Sequence, residues 1–389
     1  MAKRKPKALA TMGEPESLES LVSLFRTLKD PRIERTRAYP LEEVLFLVLC
    51  ATISGVNHLT EIEMFGETKL EWLRSILPYK NGIPSHDTIG RVLAKLDPNA
   101  LETMFASWMA STAKASEGVV AIDGKTLRGA IERGRERSFI HMVSAFASGN
   151  SLVFGQVKTD AKSNEITAIP RLLELLHLKG ALVTIDAAGC QETILNQIVE
   201  AGGDFVIAVK NNQPTLFEDI AIKFHDVDVA GKQEFASKFE TEETGHGRGE
   251  LRICETLDIV GALTHEKKWP NVRTAIRVTS DRVLDGEVTT NTRLFVSSIA
   301  GLSAEHALEA TRSHWSIENS LHWNLDVSFR EDDCRVYAGN AAENLVVVRH
   351  IALNLLRSVK GLSGGIASKR NQAGWSDSVR CAVLCAGLG

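Results

Sequence analysis

The chain has 389 residues, 44% hydrophobic and 24% charged, which is the balance of a globular protein with apolar material for one large domain or several smaller ones. Its 45 Lys and Arg residues against 49 Asp and Glu residues give a net charge of −4, so the basic surplus typical of nucleic-acid-binding proteins is absent from the chain as a whole. Six scattered cysteines without a C-x-x-C pair argue against a zinc site or a disulfide framework and indicate reduced thiols.

Neither a membrane span nor a secretory signal is visible in the sequence. The longest apolar run, 44–56, is too short to cross a bilayer, and the basic start MAKRKPK leads into a polar segment. We therefore expect a soluble, cytoplasmic protein. Positive charge does collect locally, because seven Lys or Arg residues face two carboxylates from Arg335 onward, and such a surplus can bind a polyanion. We expect residues 1–15 to form a disordered basic tail and residues 358–389 a loosely ordered basic segment.

The first hundred residues are predicted to form an all-helical region, 16–114. Apolar residues at helical spacing, with Pro, Gly and capping signals at the breaks, predict helices over 18–29, 40–54, 59–77, 85–96 and 101–113. The helix that Ser85 caps could be the recognition helix of a helix-turn-helix. It offers only Arg91 and Lys95 as obvious phosphate partners, so helix packing is slightly favoured.

The pattern changes to strands at VVAIDGKTLR, residues 119–128. The apolar run 119–122 predicts a buried strand that Asp123 and Gly124 interrupt, and Asp-Gly is a strong turn pair. A strand that carries a carboxylate to its end also places a charge at the rim of a sheet, where a rigid element can hold a functional site. Taken alone, this stretch favours the turn.

A second strand repeats the arrangement. SFIHMVSAFAS and SLVFGQVKT predict two antiparallel strands, followed by a helix with Pro170 in its first turn. The next strand, ALVTI, runs directly into Asp186. A strand reached through a helical crossover usually lies parallel to one already placed, so Asp123 and Asp186 would emerge at the same edge. Two strands that each end in Asp exceed what turns require, and a paired-carboxylate site becomes the preferred interpretation.

The remaining elements complete a strand-strand-strand-helix-strand-helix-strand order, followed by late helices. A helix over 191–201 leads to the strand FVIAVK, which ends at Lys210. Residues 213–300 alternate apolar and polar positions and predict a β-rich insertion. Within it, the loop 246–249 carries His246 and Arg248, either as a plain turn with one cation or as a phosphate contact.

Two aspartates poised in this way most often hold a hard divalent cation such as Mg²⁺, which needs only a few carboxylates besides water and substrate phosphate. A third ligand should come from a late helix, and Glu318 is the best candidate. It lies between Trp315 and Trp323, and a Glu buried among aromatic residues is costly unless it is paired or binds a metal. Asp326 is a rival, whereas 331–333 suits an exposed or capping acidic turn.

Six blocks of the sequence resemble, in order, insertion-sequence DDE transposases of the H-repeat-associated (ISAs-type) family. They are AIDGKTLRG, KTDAKSNEITAIPRLLELL, TIDAAGCQ, FVIAVKNNQ, GHGRGELR and HWSIENSLHWNLDVSFREDD. ISGVNHLTEIEMFGE and NGIPSHDTIGRVL are similar to the N-terminal domain associated with this family. The resemblance covers nearly the whole chain. It implies an α/β, ribonuclease H-like catalytic domain over 115–357 that contains the β-rich insertion, behind a DNA-binding helical domain over 16–114.

The resemblance also implies the site residues. The family's first Asp maps to Asp123, its second to Asp186 and its Glu to Glu318. One departure concerns the residues around the Glu: relatives often carry an Arg four residues before it and a Lys seven after it, where this chain has His314 and Leu325. His314 can replace the Arg as a phosphate contact, but Leu325 cannot replace a Lys. Asp326 therefore stays as a reserve third ligand.

The implied chemistry is metal-dependent phosphoryl transfer on double-stranded DNA. Asp123 would share two Mg²⁺ or Mn²⁺ ions, with Asp186 and Glu318 holding one each, to cut the element ends and then join the freed 3′-OH to target DNA. A homodimer or higher oligomer on DNA is implied as well. No nucleotide cofactor is expected, because no Walker-type loop is present. The cations expected to contact the DNA backbone are Lys125, Arg128, Lys210, His246, Arg248 and His314.

Two other classes of function remain open. The chain could be a ribonuclease H-like nuclease or resolvase that hydrolyses DNA without strand transfer. It could also be an inactive, transposase-derived protein that only binds DNA. The presence of all three acidic residues argues against the loss of catalytic activity.

Overall fold

The computed structural model describes residues 15–112, 118–127, 140–159, 165–230, 237–245, 248–284 and 287–386. These residues form a mixed α/β protein in which helices cover both faces of a large sheet. None of the described helices is long and apolar enough to cross a membrane.

The chain begins with helices, as the sequence predicts. They are α1 (Pro15–Arg26), α2 (Leu41–Ile53), α3 (Leu59–Thr68), α4 (Leu70–Arg74), α5 (His86–Lys95) and α6 (Pro98–Thr112). The Ser85 hydroxyl caps α5 by accepting from the Thr88 amide at 3.3 Å. Almost every residue of α2 is buried, because other helices surround it.

One late helix, α11 (Ala341–Ser358), holds this helical region to the sheet. It packs against α2, α5, α6 and the strand at residues 152–158, so the N-terminal helices and one face of the sheet share a continuous apolar core. The side chain of Asn354 makes two bonds to the backbone of Val153, at 2.8 and 2.9 Å. Asn344 donates to the carbonyl oxygens of Leu93 and Leu96. Buried amides therefore fix the position of α11 at both ends.

Within the described residues, nine strands form one sheet in the order β3-β2-β1-β4-β5-β9-β8-β7-β6. The strands are β1 (Gly118–Leu127), β2 (Ile140–Ala147), β3 (Leu152–Lys158), β4 (Ala181–Ile185), β5 (Asp204–Val209), β6 (Ser237–Gly245), β7 (Arg248–Asp258), β8 (Thr274–Leu284) and β9 (Glu287–Ser297). The first three are antiparallel, and β4 and β5 run parallel to β1. Helices α7 (Glu165–Leu175), α8 (Glu192–Glu200) and α9 (Pro214–Ala230) contribute to the core on one face, whereas α10 (Ala304–Ser316) and α11 cover the other.

Two local predictions are wrong, one in the first strand and one in the helix that follows the third strand. Asp123 and Gly124 do not form a turn: β1 continues to Leu127, because β2 pairs with it through this region and Gly124 lies opposite Val143. The helix assigned a start near Pro170 begins at Glu165, so the proline lies inside α7. Pro170 is the sixth of the eleven residues of α7 and has no amide hydrogen to donate, so one backbone hydrogen bond within the helix is missing.

The segment 213–300 differs from the predicted strand-rich insertion at its start. Its first element is the helix α9, whose Leu216, Ile220 and Phe224 repeat every four residues and are buried in the core beneath it. The strands β6–β9 follow as predicted. Strand β9 pairs antiparallel with β5, so the insertion extends the central sheet instead of forming a separate one.

The C-terminal segment is not loosely ordered, contrary to expectation. It contains α12 (Ile366–Trp375) and α13 (Asp377–Leu384), which pack against α2 and α11. Two of its basic residues are buried. Arg370 donates to the carbonyl oxygens of Thr52, Val56 and Ser328, and Arg380 stacks on Trp72 at 4.2 Å. Arg370 thus satisfies a carbonyl oxygen at the end of α2, and Arg380 donates to the Ala373 carbonyl oxygen near the end of α12, so both guanidinium groups are unavailable to a polyanion.

Candidate active site

The register of β1 and β4 places two aspartates side by side at one edge of the sheet. Ile122 pairs with Ile185 in a parallel ladder, and each is the residue before an Asp. Asp123 continues along β1, while Asp186 leaves β4 and caps a short 3₁₀ turn by accepting from the Ala188 amide at 3.0 Å. The carboxyl ends of parallel strands are a common place for ligand sites in α/β sheets.

A cavity of about 610 Å³ opens beside Asp186. The loop after β5 forms its other wall, and Asn212 ties the two walls together by donating to the Ala187 carbonyl oxygen at 2.6 Å. Lys210 also lines this cavity, so the structure brings it to the same side of the sheet as Asp186. The lining residues are Asp186, Ala187, Ala188, Lys210, Asn211, Asn212 and Phe217.

Glu318 lies on an unusual helix that packs against β1. The helix α10 continues after Ser316 into wide π-helical turns over Ile317–His322 and Asn324–Ser328. π-Helical turns are rare and occur frequently at functional sites, because they shift side chains relative to an α-helix. Ile317, Leu321 and Leu325 are buried and anchor the segment. Glu318 is exposed.

The exposure of Glu318 contradicts the reasoning that led to it. The sequence interpretation assumed a Glu buried among aromatic residues, but Trp315 and Trp323 are 48% and 55% exposed. The aromatic side chains therefore flank an open surface, and burial does not explain the choice of Glu at this position.

The acidic residues influence each other electrostatically. Burial, together with the negative charges of Glu165, Glu318 and Asp186, raises the pKa of Asp123 to about 7, although a hydrogen bond from the Gly124 amide opposes this shift. A divalent cation bound among these groups would offset their repulsion, so the oxygen donors fit Mg²⁺ or Mn²⁺ by chemistry and charge. Among the described residues, no three His, Cys, Asp or Glu side chains lie close enough together to hold a metal ion.

Two histidines approach the aspartates from the helix that carries Glu318. Nδ1 of His322 lies 3.7 Å from Oδ2 of Asp123, and burial together with the nearby Lys125 lowers the pKa of His322 to about 4. His314 is bonded to the Thr184 hydroxyl at 3.2 Å, two residues before Asp186, and burial lowers its pKa as well. Both are therefore neutral near pH 7. His322 was not predicted as a site residue.

Lys125 is held in a buried ion-pair network. Its ammonium group lies 2.5 Å from Asp326 and 2.7 Å from Glu331, and Glu331 also contacts Arg349 at 3.3 Å. Burial opposes the charge on Lys125, but the two carboxylates outweigh it and raise its pKa. The network joins β1 to the segment after the π-helical turns. It also gives Asp326 a cationic partner.

The remaining predicted DNA contacts are Arg128, His246 and Arg248. Arg128 and His246 lie outside the described residues. The backbone of Arg248 begins β7 opposite Gly245, and three strands separate β7 from β4 in the sheet. At about 4.8 Å per strand, this places β7 roughly 19 Å from β4. The structure thus places His314 and Lys210 beside Asp186, and does not place the β7 backbone there.

Glu165 was missed by the sequence analysis. It is the first residue of α7. Among the carboxylates whose charge raises the pKa of Asp123, Glu165 has the largest effect. The signal was present in the sequence, because Glu165 precedes the apolar face of a helix by a few residues. Assigning the helix start to Pro170 hid it.

Comparison with known proteins identifies the family of this chain. A family model described as "Transposase DDE domain" matches residues 114–355, and one described as "DDE_Tnp_1-associated" matches residues 22–109. The chain is 40% identical over 364 residues to "Putative transposase YncI" of Escherichia coli O157:H7, covering 92% of each chain. It is 39% identical over 375 residues to "H repeat-associated putative transposase YhhI" of Escherichia coli K12, covering 94% of this chain and 98% of the relative.

A shorter relative, "Inactive transposase YbfQ" of Escherichia coli K12, is 46% identical over 78 residues, which is 20% of this chain. The two longer matches and the domain model together span most of the sequence, including Asp123, Asp186 and Glu318. The chain therefore belongs to the DDE transposase family, with the family's associated domain at its N-terminal end.

Proposed function

We propose that this protein is a transposase that cuts the ends of an insertion sequence and transfers the freed 3′-OH to target DNA. The proposal is carried by one observation, the parallel pairing of Ile122 with Ile185, which brings Asp123 and Asp186 to one edge of the sheet. Such an edge, in a ribonuclease H-like core, would receive the scissile phosphate. The order β3-β2-β1-β4-β5 supports that core.

In this proposal Asp123, Asp186 and Glu318 hold two Mg²⁺ or Mn²⁺ ions, with Asp123 shared between them. The bound ions would supply Lewis-acid activation of the attacking water or 3′-OH and charge stabilisation at the leaving oxygen. Glu318 is preferred to Asp326 as third ligand, because Asp326 is paired with Lys125 whereas the charge of Glu318 acts on Asp123.

The remaining residues would bind and orient the DNA. Lys210, beside Asp186, would contact a backbone phosphate near the cut. His314 is neutral and bonded to Thr184, so it would serve as a hydrogen-bond donor and not as a charge. We assign DNA binding also to the helical residues 16–114, and assembly on DNA to a dimer or higher oligomer. The protein would act in the cytoplasm.

The test is cleavage of DNA that carries the element's own ends, with Mg²⁺ present. Asp123→Asn, Asp186→Asn and Glu318→Gln should each reduce cleavage by at least about a thousandfold, because each removes a charge that holds the metal. Asp326→Asn is the matched control and should retain cleavage within about tenfold, since its partner Lys125 keeps Glu331. Cleavage at the wild-type rate by either Asp variant would refute the assignment.

The products separate the transposase from its two alternatives. Joined products formed from a 3′-OH donor and target DNA are expected from the proposed function. Nicks without joined products would instead indicate a nuclease or resolvase. Specific DNA binding with no cleavage by the wild-type protein would indicate an inactive DNA-binding descendant.

A further inference from the structure

Glu165 lies close to the proposed metal site but on the opposite side of the sheet from Glu318. Successive residues of a strand face opposite sides, so Gly124 and Thr126 face α7 while Asp123 faces the segment that carries Glu318. The 3.7 Å approach of His322 to Asp123 agrees with that orientation. Glu165 therefore reaches Asp123 from the other side, across the position of Gly124.

Gly124 provides the space for this approach. A Cβ atom built on Gly124 would overlap the carboxylate of Glu165 and lie 2.5 Å from Nε2 of His141. The φ angle of Gly124 lies outside the left-handed region, so the backbone conformation does not require a glycine here. The missing side chain is needed for the Glu165 carboxylate to lie against β1 beside Asp123.

A pair of hydrogen bonds holds Glu165 in this position. Nε2 of His141 lies 2.6 Å from Oε1 of Glu165, and Nδ1 of His141 lies 2.8 Å from the hydroxyl of Thr126. His141 and Thr126 are direct partners in the β1–β2 ladder. With the Nε2 proton directed at the carboxylate, Nδ1 accepts from the Thr126 hydroxyl, so both the ring orientation and the tautomer are fixed. The hydrogen bond to His141 engages Oε1 of the Glu165 carboxylate.

We propose that Glu165 is a fourth carboxylate ligand of the divalent metal site, and that His141 is the positioning residue that holds it there. This inference rests on the proposed function, because it needs the metal site at Asp123. The charge of Glu165 acts on both Asp123 and His322, in agreement with a carboxylate at the rim of the sheet. Carboxylates that bind metal ions are commonly held in turn by hydrogen bonds from neighbouring side chains.

The test measures Mn²⁺ binding by titration calorimetry and by electron paramagnetic resonance, without DNA and without turnover. Glu165→Gln should weaken Mn²⁺ binding by about tenfold or more, and His141→Asn should weaken it by a similar factor, because losses of 10- to 100-fold are typical of such positions. The matched control is Glu174→Gln, an exposed residue on the same helix, which should bind as wild type.

Gly124→Ala provides a second variant that leaves every carboxylate in place. The added methyl group must displace the Glu165 carboxylate or His141, so it should weaken Mn²⁺ binding in the wild-type background. In the Glu165→Gln background it should have little further effect, and this coupling is not expected if Glu165 only ties α7 to the sheet.

Asp123→Asn is measured in parallel to separate two kinds of failure. If Asp123→Asn abolishes Mn²⁺ binding while Glu165→Gln and Gly124→Ala bind within twofold of wild type, the inference is overturned and the proposed site stands. If Asp123→Asn binds Mn²⁺ as wild type does, the proposed site itself is wrong.

Discussion

Glu102 is a buried carboxyl group whose protonation should make the stability of the protein depend on pH. It lies on α6, is 4% exposed, and its Oε1 finds no hydrogen-bond partner among the described residues. Burial, reinforced by the neighbouring charge of Glu343, raises its pKa from 4.5 to about 8. Glu343 itself is paired with Lys158, so that cation is already engaged.

The direction of the effect follows from the difference between folded and unfolded states. Between pH 4.5 and about 8 the folded protein keeps a proton on Glu102 that the unfolded chain releases. The free energy of unfolding therefore falls as the pH rises through this window, by up to about 1.4 kcal/mol per pH unit. The full shift sets an upper limit of roughly 4–5 kcal/mol. Glu102→Gln carries no titratable proton and should lose this dependence.

The assay is thermal unfolding of wild type and Glu102→Gln at pH 5, 6.5, 8 and 9. For a chain of this length, 1 kcal/mol corresponds to about 1 °C in Tm. The two proteins should melt within about 1 °C at pH 5, and the Gln variant should melt about 3–5 °C higher at pH 9. Glu174→Gln, an exposed control, should follow the wild-type profile. Parallel profiles for wild type and Glu102→Gln would refute the reasoning.

Three further predictions concern how the helices are held. Asn354→Ala removes both side-chain bonds to β3 and should lower the free energy of unfolding by about 2–4 kcal/mol, measured by urea titration; a loss below about 0.5 kcal/mol would contradict it. Gly339→Ala places a Cβ 2.6 Å from the carbonyl oxygen of Ala94, whereas Gly301→Ala, also at positive φ, meets nothing within 4 Å. The former should therefore cost at least about 1 kcal/mol more than the latter, and equal melting temperatures would contradict the contact. Arg370→Lys keeps the charge but loses the planar fork that serves several carbonyl oxygens, so Tm should fall by about 2–4 °C, and an unchanged Tm would contradict that role.

Much of the strand framework follows from local pattern. The apolar runs before Asp123 and Asp186 predicted buried strands, and the helical crossover between them predicted their parallel pairing, which the structure confirms. The Ser85 cap is likewise as predicted. The early helices are as predicted except over 59–77, where Lys69 separates two shorter helices, the second of which ends at Arg74. These features depend on periodicity and turn chemistry, which short stretches of sequence contain.

The structure differs from the predictions where a segment's conformation depends on contacts with residues that are distant in the sequence. Gly124 looks like a turn residue until its partner strand is known, and only the ladder with β2 shows that β1 continues. The basic C-terminal segment looks mobile because nothing nearby explains its charges. Arg370 finds its carbonyl partners more than three hundred residues earlier, at Thr52 and Val56.

In the acidic site, too, some residues could be predicted from local sequence and others depend on contacts in the folded chain. Asp123 and Asp186 were identified from strand endings, whereas Glu318 was chosen on an assumption of burial that its exposure contradicts. Its family resemblance and its electrostatic effect on Asp123 are better reasons for the choice. Glu165 could have been assigned to the first turn of α7, but its approach to Asp123 depends on the empty side-chain position at Gly124, which only the folded chain shows.

The central claim is that these carboxylates bind the metal that supports DNA cleavage. Exchange of Asp186 for Cys tests it directly, because a thiolate is a poor ligand for hard Mg²⁺ but is better accepted by Mn²⁺. Asp186→Cys should not cleave DNA with Mg²⁺ and should recover at least about tenfold with Mn²⁺, whereas Asp326→Cys should show no such recovery relative to wild type. Wild-type cleavage by Asp186→Cys with Mg²⁺ would contradict the account.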